Sequence, residues 1–256
     1  MIHYHGTPCG ATRKDVVQFL SGRHALIPWI RQEDIGAAAE VCQSFCLDNG
    51  AFSAWMDGKP ILDWSGYYEW LDEWCLHPAF DFAVIPDVID GTETDNDRLI
   101  GDFVQRFDKA LTIGSPVWHM HESLGRLEGL VRFWPRVCLG SSGEYATVGT
   151  DKWWRRMREA MKIACYDDGR PRTKLHGLRM LDPSVFHMLP LSSADSTNAV
   201  RNSSNFSRFG NYKPPTASQR MTVIADRIES HQSPAIWQHK KSQQLWLLHP
   251  DGENAT

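Results

Sequence analysis

Six places along this chain set chemically useful residues in the same position. Asp48, Asp87, His119 with His121, Gly140, His176 and Asp195 each close a short apolar run, just ahead of a polar or glycine turn. Asp48 lies in Leu47-Asp48-Asn49-Gly50-Ala51-Phe52. Gly50 there lets a backbone approach a ligand closely, and Phe52 can cover a planar ring. The bland alternative is an Asx-turn that only closes the loop. Asp87, in Ile85-Pro86-Asp87-Val88-Ile89-Asp90-Gly91, follows apolar residues. A carboxylate desolvated in this way titrates upward or finds a donor, and a guanine-like ring offers donors through its N–H and exocyclic amine. Asp90 is expected to cap the turn into the next helix. Asp195, in Ser192-Ser193-Ala194-Asp195-Ser196-Thr197-Asn198, has small hydroxyl neighbours that leave room for a substrate. A positioned carboxylate is a competent nucleophile at an anomeric carbon; the alternative is a structural aspartate held by backbone amides.

The histidines admit a rival chemistry. His3-Tyr4-His5 and His119-Met120-His121 both read as His-x-His on strands, where alternation puts the two rings on one face. His3, His5, His176 and Asp195 together resemble the divalent-metal ligands of amidohydrolase barrels. No Cys-x-x-Cys occurs, so a compact cysteine-rich zinc site is not expected.

The elements that must position these residues are short strands alternating with helical patterns. Candidate strands lie near 1–5, 24–29, 44–48, 81–87, 115–121, 136–140, 173–178 and 191–195. Helical periodicity appears over Lys14–Leu20, Leu99–Leu111 and Trp153–Ala164. Asp34, Thr150 and Asp182 are expected to cap helix N-termini. Eight strands in 256 residues fit one α/β domain, a (β/α)8 barrel spanning 1–256, with a doubly wound sheet as the main rival. Barrel enzymes keep their chemistry at the C-terminal strand ends, which is where the polar residues fall. After the last strand, 202–217 reads as a long ordered loop, 218–231 as a helix and 251–256 as a frayed tail.

Composition bounds the function. The chain is 42% hydrophobic and 23% charged, enough for a sizeable core. A net charge of −4 carries no overall nucleic-acid signature but leaves room for a local basic face. No basic-then-apolar leader and no bilayer-length apolar run is visible, so a cytoplasmic protein without a membrane partner is expected. The six cysteines, Cys9, Cys42, Cys46, Cys75, Cys138 and Cys165, are read as reduced thiols. Trp64, Trp70 and Trp74 with Tyr67 and Tyr68 form an aromatic cluster in one helix, expected as core rather than as a base-stacking platform.

Taken in order, these motifs resemble the tRNA-guanine transglycosylase superfamily, and most its compact, phage-type branch that exchanges guanine in DNA for a 7-deazaguanine. Leu47-Asp48-Asn49-Gly50-Ala51-Phe52 is similar to the family's Asp-Ser-Gly-Gly-aromatic motif, Ile85-Pro86-Asp87 to its base-recognition strand, and Leu139-Gly140-Ser141-Ser142-Gly143-Glu144 to its Gly-Gly base-binding loop. Trp118-His119-Met120-His121 stands where the family has a glutamine, and Ala194-Asp195-Ser196 where it has the nucleophilic aspartate. The family's tRNA enzymes carry a Cys-x-Cys-x-x-Cys zinc site after that strand. No cysteine follows Cys165 here, so no cysteine zinc subdomain is expected and tRNA is not the first substrate to consider.

The resemblance implies base exchange with retention. Asp195 would be the nucleophile and Asp48 the proton-transfer group. Phe52, Asn49, Asp87, His119, His121, Gly140, Ser141, His176 and Ser196 would bind the base and sugar. DNA would be contacted by Arg201, Arg208 and Lys213, or by Lys152, Arg155 and Arg156, the last three being otherwise an ordinary solvated helix face. No cofactor or metal is required by this scheme. Besides the amidohydrolase chemistry, a similar enzyme acting on RNA and a non-catalytic nucleic-acid-binding barrel remain as alternatives.

Overall fold

In a computed structural model, residues 1–8 and 12–238 are described; Cys9 and the tail 251–256 lie outside them. The strands are β1 (Ile2–Gly6), β2 (His24–Pro28), β3 (Ser44–Asp48), β4 (Phe80–Val84), β5 (Gly114–Ser115), β6 (Val117–His119), β7 (Arg136–Gly140), β8 (Lys174–Gly177) and β9 (Ser193–Ser196). They form one sheet in the order β5-β4-β3-β2-β1-β9-β8-β7-β6, with every pairing parallel. β5 and β6 are one stave, interrupted because Pro116 has no N–H to give the ladder. Ile85 N–H donates to Ser115 O (3.0 Å) and Cys138 N–H to Pro116 O (2.9 Å), so this stave joins the two ends of the sheet. The result is the expected α/β barrel of eight staves, and the doubly wound rival is set aside.

Alternation along the strands sorts side chains between two cores. Tyr4, Leu26, Cys46, Phe82, Val84, Val117 and Cys138 fill the barrel interior. Ile27, Phe45, Leu47, Val137 and Leu175 face the helices, each wholly buried; such side chains contribute about 1.5–3 kcal/mol apiece. Toward the N-terminal end, Asp81 accepts Tyr4 Oη (2.5 Å) and both its oxygens take Arg136 Nη2 (3.0 and 3.1 Å), while that guanidinium lies 4.0 Å from the Phe82 ring centre. The interior is thus plugged at one end. The inward series Ser44, Cys46, Asp48 and Ser193, Asp195 run toward the other.

The helices differ from expectation at their ends. The pattern over Leu99–Leu111 is two helices, Glu93–Arg106 and Ala110–Ile113, because Phe107 turns extended at φ −121°. The longer one starts at a Thr92/Asp95 capping box, not at Asp90. Thr150 and Asp182 cap as expected, by accepting Trp153 N–H and Ser184 N–H. Asp34 does not, because its backbone is already helical and its side chain makes no cap bond. The last helix spans Ala217–Glu229, and the loop before it holds a short 3-10 turn, Phe206–Phe209. Trp64, Tyr67 and Trp70 are buried, and Tyr67 Oη donates to Val84 O at 2.7 Å, so the aromatic cluster is core. Cys42, Cys46, Cys75, Cys138 and Cys165 are free thiols. Among the described residues no helix is long and apolar enough to cross a membrane.

Candidate active site

A cavity of about 870 Å³ opens at the C-terminal ends of the strands. Asp48, Asn49 and Phe52 from the end of β3, Asp87 beyond β4 and His119 from β6 line one side. Gly140 and Ser141 from β7, with Asp195, Ser196 and Arg201 from β9 and the helix after it, line the other. Leu26, Val84 and Leu178 supply apolar wall between them.

Asp195 is buried and tightly held. His176 Nε2 lies 3.2 Å from its Oδ1, and the Arg179 amide N–H donates to the same oxygen at 3.1 Å. His176 Nδ1 in turn sits 2.8 Å from Ser193 Oγ. A ring that accepts from Ser193 and donates to Asp195 satisfies both contacts.

Asp48 accepts Gly50 N–H at 3.2 Å, which makes the Asx-turn, and still faces the cavity. Gly50 has a positive φ of 78°, and a Cβ there would meet Ile30 Cγ2 at 2.9 Å, so both the turn and its packing require glycine. Burial, then the nearby charges of Asp195 and Asp87, push the Asp48 carboxyl up to about 7. The Gly50 amide and Arg179 oppose this and do not offset it.

Asp87 is fixed by a hydrogen bond at one oxygen and has a histidine ring close to the other. Asn49 Nδ2 donates to Oδ1 at 2.7 Å, and His119 Nε2 lies 2.8 Å from Oδ2. Asn49 also donates to Ile85 O (2.9 Å) and accepts Ala51 N–H (2.8 Å), so it ties the ends of β3 and β4 together. His119 is aimed from behind: Glu122 Oε2 accepts its backbone N–H at 2.9 Å, and Arg126 Nη1 holds that oxygen at 2.7 Å.

Several expected residues lie elsewhere. His121 is past the end of β6, stacked on the outer side of His119 with ring centres 5.6 Å apart and 2.8 Å from Ser142 Oγ; it does not line the cavity. His176 is wholly buried beneath Asp195 and supports it rather than meeting a ligand. His3 and His5 share a face, but the outer one: His3 Nε2 meets His231 O (3.0 Å) and His5 Nε2 meets Glu229 (2.8 Å). They therefore do not converge with His176 and Asp195, and the amidohydrolase pattern is not formed. Among the described residues no cluster of three or more His, Cys, Asp or Glu is placed to hold a metal ion.

The helix Asp151–Ala164 buries Trp153, Met157, Ala160 and Met161 and leaves Arg155 exposed. Lys152 pairs with Glu144, while Arg156 donates to Met120 O (2.9 Å) and Glu122 O (2.5 Å) and pairs with Glu159 (3.0 Å). None of these three lines the cavity, and Arg156 is a structural cross-tie. Lys213 donates to Ser204 O at 3.0 Å, and Arg208 is exposed on the same loop, off the cavity wall.

Arg179 is the residue that sequence reading missed. It stands two residues past the end of β8, and a cation at a barrel strand end is the signal that marks it. It is the one non-glycine with positive φ (58°) among the described residues, a conformation that costs about 1–2 kcal/mol. β8 and β3 are opposite staves of the barrel. Its side chain crosses between them, placing the guanidinium 3.7 Å from the Phe52 ring centre and donating Nη2 to Ser141 O at 2.7 Å.

No protein-family model, no curated protein and no solved structure matches this chain.

Proposed function

We propose that this chain is a base-exchange glycosyltransferase acting on DNA, replacing guanine with a 7-deazaguanine through a covalent Asp195–deoxyribose intermediate. One observation carries the reading: two carboxylates from well-separated strands face one cavity in different environments. Asp195 is oriented by two donors, and Asp48 is pushed up to about 7. Unlike surroundings within a pair of acids are a usual basis for dividing nucleophile from proton-transfer roles.

In the proposed reaction an Asp195 carboxylate oxygen attacks C1′. The C1′–N9 bond breaks, its electron pair leaves with guanine, and neutral Asp48 supplies the proton that guanine takes. The incoming base gives its N9 proton to the Asp48 carboxylate. Its N9 then attacks C1′ and expels Asp195 with the ester electron pair. Atoms and charge balance, and both acids return to their starting forms. Asp87, fixed by Asn49 with the His119 ring beside it, retains lone pairs for the N–H and amine of a guanine-type ring. The target nucleoside must leave its stack to enter a barrel mouth, at a cost of a few kcal/mol.

The test is incubation of guanine-containing DNA with labelled guanine or a 7-deazaguanine, followed by mass spectrometry of the nucleosides. Asp195→Asn abolishes incorporation in a folded protein if the reading holds. Incorporation that survives it removes the proposal, and incorporation into RNA but not DNA reassigns the strand.

A further inference from the structure

Arg179 brings a cation to the cavity with hydrogen-bond donors left over. Its guanidinium lines the cavity, and its one side-chain hydrogen bond among the described residues is to Ser141 O. No described carboxylate lies within ion-pair distance of it, although Asp195 and Asp48 are near enough to act on it electrostatically. An arginine has five N–H donors in a planar fork, a shape that matches a phosphate oxygen pair. Its backbone is held left-handed, and in that conformation its amide N–H reaches Asp195. Backbone and side chain of one residue therefore face the nucleophile and the open cavity at once.

The segment that follows Asp195 carries cations without acids. From Ser196 to Ala225 the chain holds Arg201, Arg208, Lys213 and Arg220 and no aspartate or glutamate, in a protein of net charge −4. Arg201 and Asn202, at the start of that segment, line the cavity beside Asp195.

We propose that Arg179 reads the phosphodiester flanking the target nucleoside, and that its own amide fixes Asp195 on the sugar which that phosphate carries. The preferred substrate is then a nucleotide within a strand, and a free nucleoside is a poor one. This rests on the base-exchange reading for the identity of the sugar, but the contact itself is testable without turnover.

The probe is a fluorescein-labelled single-stranded deoxyoligonucleotide with one guanosine, plus two versions in which the phosphodiester on one or the other side of it is a neutral methylphosphonate. Anisotropy titrations use the whole protein and the Arg179→Gly and Arg179→Lys variants. Glycine suits the positive φ and keeps the N–H to Asp195, so Arg179→Gly removes only the side chain. In the wild type one methylphosphonate weakens binding about tenfold. Arg179→Gly weakens binding to the unmodified strand by a similar factor and is indifferent to that methylphosphonate; Arg179→Lys recovers part of the loss. The proposal is overturned if Arg179→Gly binds as the wild type does, if it remains fully sensitive to both methylphosphonates, or if the wild type does not bind the strand. Two outcomes separate it from the base-exchange reading. The expected binding pattern without any guanine incorporation sinks base exchange alone. Incorporation by Arg179→Gly with an unchanged KM for the strand sinks the Arg179 role alone.

Discussion

His176 lies directly under Asp195, its Nε2 3.2 Å from Oδ1 and its other nitrogen 2.8 Å from Ser193 Oγ. The ring is wholly buried and packs edge-on against Tyr4 and Phe82, with ring centres 6.0 and 5.1 Å away. A rigid barrel interior thus sets the direction of the carboxylate that faces the cavity.

Replacing His176 with Asn should therefore lower kcat for base exchange by roughly 10–100-fold with little change in KM, because the ligand never touches the ring. It should also cost about 1–3 kcal/mol of stability, from a shortened side chain in a packed interior and an unmet Ser193 or Asp195 contact. Steady-state kinetics and a urea melt read the two effects. A raised KM with normal kcat would mean that His176 meets substrate.

Asp48 should make the two halves of the proposed exchange respond oppositely to pH. With its carboxyl near 7, the neutral acid needed for guanine departure is lost as pH rises through about 7, whereas the carboxylate needed to deprotonate the incoming base appears. Trapping of the covalent adduct falls above pH 7, and release of the adduct to a new base rises. Adduct formation flat from pH 6 to about 8 would remove Asp48 from this role.

The same group links pH to stability. A carboxyl raised in the folded state favours the fold most at low pH, and that contribution disappears as pH climbs from the unfolded value near 4 to about 7. Asp48→Asn should consequently be more stable than the wild type by about 1–3 kcal/mol at pH 8, the gap closing toward pH 4. Denaturant midpoints across that range check the slope.

His3 and His24 shift the other way, both held below the usual histidine value by burial. The unfolded chain takes up their protons first, so stability is complete above about 6.5 and declines as pH falls below it. Over pH 7 to 5 this loss runs against the gain from Asp48, so the melting temperature of His3→Gln should rise relative to that of the wild type as pH falls. An unchanged slope would assign acid lability to other groups.

Gly50→Ala should cost about 1–3 kcal/mol, since φ is +78° and the new Cβ would meet Ile30 Cγ2 at 2.9 Å. Because the Gly50 amide also holds Asp48, the variant should lose exchange activity beyond its loss of stability. Activity per folded molecule, measured well below the melting temperature, separates the two.

Much of the fold was legible because strand patterning and the polar residues that end each strand are local. Asp48, Asp87, His119, Gly140 and Asp195 were found this way, and all line the cavity. Helix ends were less legible, since Thr92 and Asp90 are both good caps and only the path of the chain chooses between them. His121 failed for a related reason: alternation holds only while a strand lasts, and β6 stops at His119.

The amino-acid sequence by itself determined which residue types stand at the ends of the staves, because period-two apolar runs and turn residues act over a few positions. Only the tertiary structure decided that His3 and His5 face the last helix while His176 faces Asp195, since a strand has two faces and its sequence does not say which one closes inward. It also decided that Arg179 crosses to Phe52 on the opposite stave, a contact set by barrel closure rather than by any spacing along the chain.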